Sequence, residues 1–115
     1  LKLTPDPAAV ITMLADFASV REAADATSRI IAAGIVPAAL EMMDQATIRA
    51  VEASIYAAGY PADAAAILLC EVDGLAAGLD VDAARIEALA RDAGARSVVV
   101  ASDPVRRARL WQGRK

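Results

Sequence analysis

The chain has 115 residues and a mass of 11.9 kDa, which fits one domain of the usual ~100–150 residues. Its 57% hydrophobic content excludes a disordered segment, and twelve basic against fifteen acidic side chains (net −3) exclude a generally basic nucleic-acid surface. With no histidine, no asparagine and one cysteine, Cys70, the chain can hold no His–Cys metal site, no Ser–His catalytic pair, no internal disulfide and no N-glycosylation sequon.

The charge is uneven. Residues 96–115 carry six cations and one anion, leaving −8 on the first 95 residues. A lone cysteine suits a reducing, cytoplasmic setting. Only Phe17, Tyr56, Tyr60 and Trp111 are aromatic, so alanine must supply much of the core and its packing must be close. The longest charge-free apolar run, from Ile30 to Leu40, is about half the ~20 residues a spanning helix needs, and Gly34 and Pro37 interrupt it. No basic-then-apolar signal pattern opens the chain. It begins on Leu1 rather than Met and stops at Lys115, just past a predicted helix with the only Trp, and so reads as a piece of something larger.

Residues 1–7 alternate apolar and polar up to Pro5 and Pro7, which predicts an extended arm; the expected division is an arm or linker over 1–10 and a folded domain over 11–115. Ile11, Met13, Ala15 and Phe17 at period two predict a strand. Ser19 and Glu22 form a capping box for a helix with Val20, Ala23, Ala24, Thr27, Ile30 and Ile31 at helical spacing, ended by Gly34. A second strand is expected from Ala38 to Met43. Asp44 then caps a shorter helix with Ile48, Val51 and Ile55 on one side, stopping near Gly59. Residues 65–72 form the third and most hydrophobic strand, and Gly74 and Gly78 punctuate a loop. The Asp80–Asp82 region starts another helix with Ile86, Leu89, Ala90 and Ala93 inward and Gly94 at its end. Ser97 to Ala101 is the fourth strand. Asp103 and Pro104 open a last helix holding Arg106, Arg107, Arg109, Leu110 and Trp111.

This order predicts an α+β, ferredoxin-like split βαβ fold, a four-stranded antiparallel sheet with its helices on one face. The strands add a complication. Ile67, Leu69 and Val99 lie opposite Leu68, Cys70, Val98 and Val100, so both sheet faces are apolar where one should be wet. The uncovered face is expected to pack on another domain or subunit, or to make the chain a homodimer through its sheet.

Glu41 and Glu71 interrupt apolar strands and could form an acid/base pair, because a partly desolvated carboxylate has a raised pKa. The plainer reading, solvated or salt-bridged to arginine, carries more weight. Asp44 and Asp73 at strand ends read as a cap and a turn. Cys70 has no basic neighbour in sequence and reads as a buried, inert thiol. Gly74-x-x-x-Gly78 lacks the Lys-Ser/Thr of a P-loop and the G-x-G-x-x-G of a dinucleotide turn, so it reads as an ordinary loop. Arg106, Arg107 and Arg109 could bind phosphate or carboxylate, but late in a helix they also complement its dipole without any ligand. Trp111 beside Arg114 is harder to set aside and could wall an anion pocket.

Four segments occur together and in order: Ala23-Ala24, residues 34–44 (Gly34 to Asp44), residues 68–74 (Leu68 to Gly74) and residues 110–115 (Leu110 to Lys115). They resemble the C-terminal substrate, or cap, domain of FAD-linked oxidases of the vanillyl-alcohol oxidase superfamily, in the branch of the glycolate oxidase D-subunit and D-lactate dehydrogenase. Residues 1–5 resemble the segment by which that family's chain leaves its flavin domain. The resemblance implies that the complete protein oxidises a 2-hydroxy acid such as glycolate or D-lactate to the 2-oxo acid. FAD would take a hydride from C2 and be reoxidised by a cytochrome, quinone or partner subunit. It further implies a flavin domain before Leu1 and a histidine-containing metal and catalytic segment after Lys115, so this chain alone is expected to be inactive and to bind no flavin. Arg114 matches the arginine of the family's W-x-x-R motif, which holds the substrate carboxylate; a guanidinium fork suits that group. No catalytic or metal role is implied for any other residue. The alternative, from a different class, is a free-standing ferredoxin-like module that binds a small ligand or self-associates.

Overall fold

The computed structural model describes residues 8–114, with side chains for residues 9–113. The arm expected over residues 1–7 lies outside the described residues. The elements are β1 (Ala8–Phe17), α1 (Val20–Ala32), β2 (Ala39–Asp44), α2 (Gln45–Glu52), β3 (Ala66–Leu75), α3 (Ala76–Asp92), β4 (Ser97–Ala101) and α4 (Pro104–Trp111), followed by a 3-10 turn over Gln112–Arg114. The strands form one antiparallel sheet in the order β2-β3-β1-β4, the split βαβ arrangement.

The local signals act as expected. The Ser19 hydroxyl accepts the Glu22 amide at 3.1 Å and donates to the Glu22 carboxylate at 3.0 Å, starting α1. Asp44 accepts from the Thr47 amide (2.9 Å) and Asp103 from the Arg106 amide (3.0 Å), starting α2 and α4. Gly34, at φ +81°, takes the left-handed conformation that lets the chain leave α1.

Three boundaries differ. β1 and β3 pair without interruption from Ala8↔Leu75 to Phe17↔Ala66, so the ladder takes Ala8 into β1 and Gly74 into β3. Gly74 and Gly78 therefore do not bound a loop: Gly78 lies inside α3, which starts at Ala76 rather than near Asp80. Leu79, Ala83, Ile86 and Ala90 are buried along α3 at spacings of four, three and four, and this stripe extends the helix toward its N-terminus. Ile55 falls beyond α2 and is 86% exposed. The Glu52 carboxylate accepts the amides of Ala58 (2.8 Å) and Gly59 (3.1 Å), which turns the chain away from the helix axis.

The larger correction concerns the second face. One side of the sheet packs on α1 and α3: Ile11, Met13, Phe17, Leu68, Cys70 and Val72 meet Ala23, Ala26, Ile30, Ala83, Ile86 and Ala90. The other side is not left open for a partner. Leu14, Ile67 and Leu69 are buried with Met43, Ile48, Ala58, Tyr60 and Ala64, and Val51, Val99, Leu110 and Trp111 pack against them. The helices thus cover both faces, α2 and α4 lying opposite α1 and α3. Apolar alternation on both sides of a strand records that both sides are covered; it does not say by what. The expectation of a homodimer through Ile67, Leu69 and Val99 loses its basis, because the chain itself buries Ile67 and Leu69 completely.

This second layer sets a stability contrast. Ile48 is fully buried and Ile55 is exposed, although both belong to the stripe predicted for one helix. Ile48→Ala is expected to cost about 2–5 kcal/mol, through lost burial and the cavity left behind. Ile55→Ala should stay within about 0.5 kcal/mol. Urea denaturation of the two variants reads the difference directly; equal losses would place Ile55 in the core.

Candidate functional site

The sheet face under α2 and α4 carries the polar residues of the central strands. Thr12 lies opposite Glu71, and both face this layer in the period-two alternation with Leu14 and Leu69. Glu71 Oε1 accepts hydrogen bonds from Thr12 Oγ1 at 2.9 Å and from Trp111 Nε1 at 3.1 Å. Arg107 Nη1 lies 4.0 Å from the same oxygen, and Arg107 Nε donates to the Ser102 carbonyl at 3.3 Å. Glu71 is therefore a half-buried hub between two strands and α4, held by a hydroxyl, an indole and a guanidinium.

A second anchor lies one residue before Trp111. The buried Tyr60 hydroxyl donates to the Leu110 carbonyl. Burial is the main influence on this phenol and pushes its pKa up; the Gly113 backbone opposes the rise, and the charges of Glu52 and Glu41 add to it. Gly113 is itself buried, and a Cβ there would come within 2.6 Å of both the Tyr60 ring and Val51 Cγ1. Only a glycine lets the 3-10 turn lie this close to Tyr60. The turn ends in Arg114, whose side chain lies outside the described residues. Grooves of about 420 and 470 Å³ meet at Tyr56 and run alongside the turn, one bounded by Gly113 and the other by Gln112 and Arg109.

The remaining candidates separate clearly. Glu41 sits on β2 opposite Leu69, two rows from the Ala39 that faces Glu71; it is half-buried and engaged. For Glu71 the hydrogen-bonded and salt-bridged arrangement is the one observed. Asp44 caps α2, and the amide hydrogen bond from Thr47 holds its carboxyl below the usual range. Asp73 is an exposed strand-end residue opposite Val10. Arg106 and Arg109 are exposed on α4, whereas Arg107 is half-buried against Glu71. Cys70 faces the α1/α3 layer, and burial, helped by Glu71, pushes its thiol up to about 11.

One charged cluster gave no signal in the sequence. The buried carboxylate of Asp16 accepts from Arg96 Nε and from Ser97 Oγ, each at 2.9 Å, while the other Arg96 nitrogens reach Asp63 at 3.2 and 3.3 Å. These hydrogen bonds raise the Arg96 pKa, Asp16 contributing most, and Arg96 in turn lowers that of Asp63. The cluster ties the chain after α2 to the end of β1 and has a structural role. Its partners are 80 and 33 residues apart, and nothing local marks them.

The groove of about 320 Å³ at Gly74 and Gly78 is lined by Asp73 and Asp82 with no cation, a poor match for a diphosphate. Among the described residues no group of three or more Cys, Asp or Glu side chains could hold a metal ion, and no helix is long and apolar enough to cross a membrane.

The fold and the hub define a ferredoxin-like α+β domain that fastens an arginine-bearing turn to its sheet. A family profile extends this class to a lineage. The profile described as FAD linked oxidases, C-terminal domain, matches residues 6–115, and the chain belongs to that family. It is 48% identical over all 115 residues to the glycolate oxidase subunit GlcD of Escherichia coli K12, of which it covers 23%. It is 40% identical over 101 residues, 88% of its length, to the GlcD subunit of Bacillus subtilis 168, of which it covers 21%. The chain thus spans about a quarter of the length of these relatives. A solved alkyldihydroxyacetonephosphate synthase shares the fold, with a TM-score of 0.66 and 12% identity over 97% of this chain and 24% of that one.

Two measurements probe this packing. Gly113→Ala is expected to destabilise by about 1–3 kcal/mol because its methyl meets Tyr60 and Val51. Gly78→Ala, which meets open space inside α3, should be neutral or stabilising by up to about 1 kcal/mol. The reverse order in urea denaturation would contradict the close fit of the turn. Cys70 should resist a thiol-specific reagent at pH 8 in the native protein and react at once when unfolded. Its folded pKa is raised from 9.0 to about 11. The linked stability is therefore intact below about pH 9 and declines as the pH rises toward 11, because the unfolded thiol ionises first. Rapid native labelling at pH 8 would show an accessible thiolate instead.

Proposed function

We propose that this domain is the substrate-side, cap part of a FAD-dependent oxidoreductase that converts a 2-hydroxy acid such as glycolate or D-lactate to its 2-oxo acid. The observation that carries the reading is the 48% identity to a glycolate oxidase subunit across the whole chain. In the full-length protein FAD supplies the two-electron acceptance, and a separate flavin domain holds it. An arm over the first residues would join that domain to this one, which begins at the first residues of β1. The relatives are named as subunits, which supports partner subunits; the single cysteine supports a reducing, cytoplasmic setting, and the net −3 charge supports no nucleic-acid role. A relative about four times longer does not favour a free-standing ligand-binding or oligomerisation module.

Within this chain, Arg114 is the residue assigned to substrate. It follows Trp111 and Gly113 in a Trp-x-x-Arg segment held by Glu71 of β3 and by Tyr60 in the loop between α2 and β3. A guanidinium there forms two parallel hydrogen bonds to a planar carboxylate and so fixes both the position and the rotation of the acid. The adjoining grooves give a small substrate room beside the turn. Arg114→Ala in the full-length flavoprotein should lower kcat/KM for 2-hydroxy acids on the order of 10–100-fold, the equivalent of one lost charge-assisted contact. Arg114→Lys keeps the charge but not the fork and should also be impaired. Unchanged kcat/KM at normal flavin content would remove Arg114 from the site.

A further inference from the structure

We propose that Glu71 is a positioning residue for Arg114, with Trp111 as the lever that connects them; this rests on the reading that Arg114 meets the substrate carboxylate. Glu71 stands on a central strand, where the backbone is held on both sides by ladder hydrogen bonds. The fully buried Thr12 donates to its carboxylate from the neighbouring strand and fixes the side chain's direction. That carboxylate in turn receives the indole N–H of Trp111, three residues before Arg114. Tyr60 holds the carbonyl of Leu110, and the missing side chain at Gly113 lets the turn pack on Tyr60. The end of α4 is therefore fastened at 110 and 111, and the turn that carries Arg114 at 113.

The chemistry of the hub also keeps it from competing with substrate. A bare carboxylate near a carboxylate-binding arginine would pair with that arginine or repel the acid. Here one oxygen of Glu71 is occupied by Thr12 and Trp111, and Arg107 at 4.0 Å offsets its charge. What Glu71 supplies is a directed acceptor for the Trp111 indole, beside Leu69 and Leu14 and held in place by Thr12. Misplacing a binding group by about 1 Å can cost roughly 100-fold in an enzyme, so fastening of this kind reaches function without touching substrate.

The test uses the full-length flavoprotein, with flavin content measured for every variant. Glu71→Leu removes the acceptor, Trp111→Phe removes the donor, and Glu71→Gln keeps an acceptor oxygen while losing the charge. The expected result is a rise of about tenfold in KM for the 2-hydroxy acid in Glu71→Leu and in Trp111→Phe, with a smaller change in kcat. Inhibition by oxalate, which depends on carboxylate recognition, should weaken in parallel. Glu71→Gln should restore KM to within about threefold of the parent. The Glu71→Leu/Trp111→Phe double variant should be no worse than either single one, as expected for two ends of one contact. A merely structural Glu71 would alter thermal stability without this selective effect on KM and oxalate, and that outcome overturns the proposal. So do additive single effects, or a Glu71→Gln as damaged as Glu71→Leu. Where Glu71→Leu does not fold, Trp111→Phe decides alone. A normal KM in Arg114→Ala overturns the carboxylate reading and this inference with it. Impaired Arg114→Ala beside unaffected Glu71 and Trp111 variants overturns only the fastening.

Discussion

Ten residues of β1 pair with ten of β3, from Ala8↔Leu75 to Phe17↔Ala66, and this register decides which side chains meet in each layer. Because successive side chains alternate, a slip of one residue would turn Thr12, Asp16 and Glu71 into the layer under α1 and α3, which is built from apolar side chains. It would also carry Cys70 and Leu68 toward α4. An unpaired buried carboxylate costs far more than a displaced methyl, so the polar residues specify the register as strongly as the apolar ones. In the observed register, among the described residues, no buried side-chain nitrogen or oxygen lacks a hydrogen-bond partner.

The two layers are held by different physics. The α1/α3 layer depends on small residues: Ala23, Ala26, Ala83 and Ala90 are buried and let both helices approach the sheet closely. The opposite layer contains the two buried or half-buried polar aromatics, Tyr60 and Trp111, and α4 has no fully buried residue at all. Burial alone therefore does not fix where α4 sits. Its position follows from directed contacts: the Asp103 cap, the Tyr60 bond to Leu110 and the Trp111 bond to Glu71. Hydrogen bonds have preferred angles where apolar contacts do not, so a helix held this way is set in rotation as well as in distance.

This difference explains what could be read from the sequence. Ser19, Asp44 and Asp103 act within three residues of themselves, and their helices start where those residues predict. The strand order followed from alternation and the sequence of elements. The start of α3 and the fate of Gly74 were not legible, because the long β1/β3 ladder and the Leu79 stripe override the local preference of glycine for loops. The role of α2 and α4 as a cover was missed for a related reason: apolar strand faces look the same whether a helix of the same chain or a partner lies over them. The Tyr60 bond to Leu110 spans 50 residues and the Trp111 bond to Glu71 spans 40, distances at which spacing says nothing. Glu71 and Arg114 were both visible as candidates, but the link between them was not.

The charge asymmetry takes on a different meaning once these contacts are in place. The positive segment after residue 95 could suggest an open basic surface. In the fold, Arg96 is joined to Asp16 and Asp63, and Arg107 leans on Glu71, so part of the positive charge neutralises acids of the first 95 residues. Arg106 and Arg109 remain exposed to solvent, where a single cation is screened and selects little. An arginine recognises a small acid well only when its surroundings fix its direction and leave its fork without a competing carboxylate. Glu71 does not stand free: its Oε1 accepts from Trp111 and Thr12, Arg107 lies beside it, and its strand is paired on both sides. The carboxylate that interrupts an apolar strand is kept there because its Oε1 is engaged by a hydroxyl and an indole, and through that indole it holds the end of α4, from which the turn with Arg114 continues.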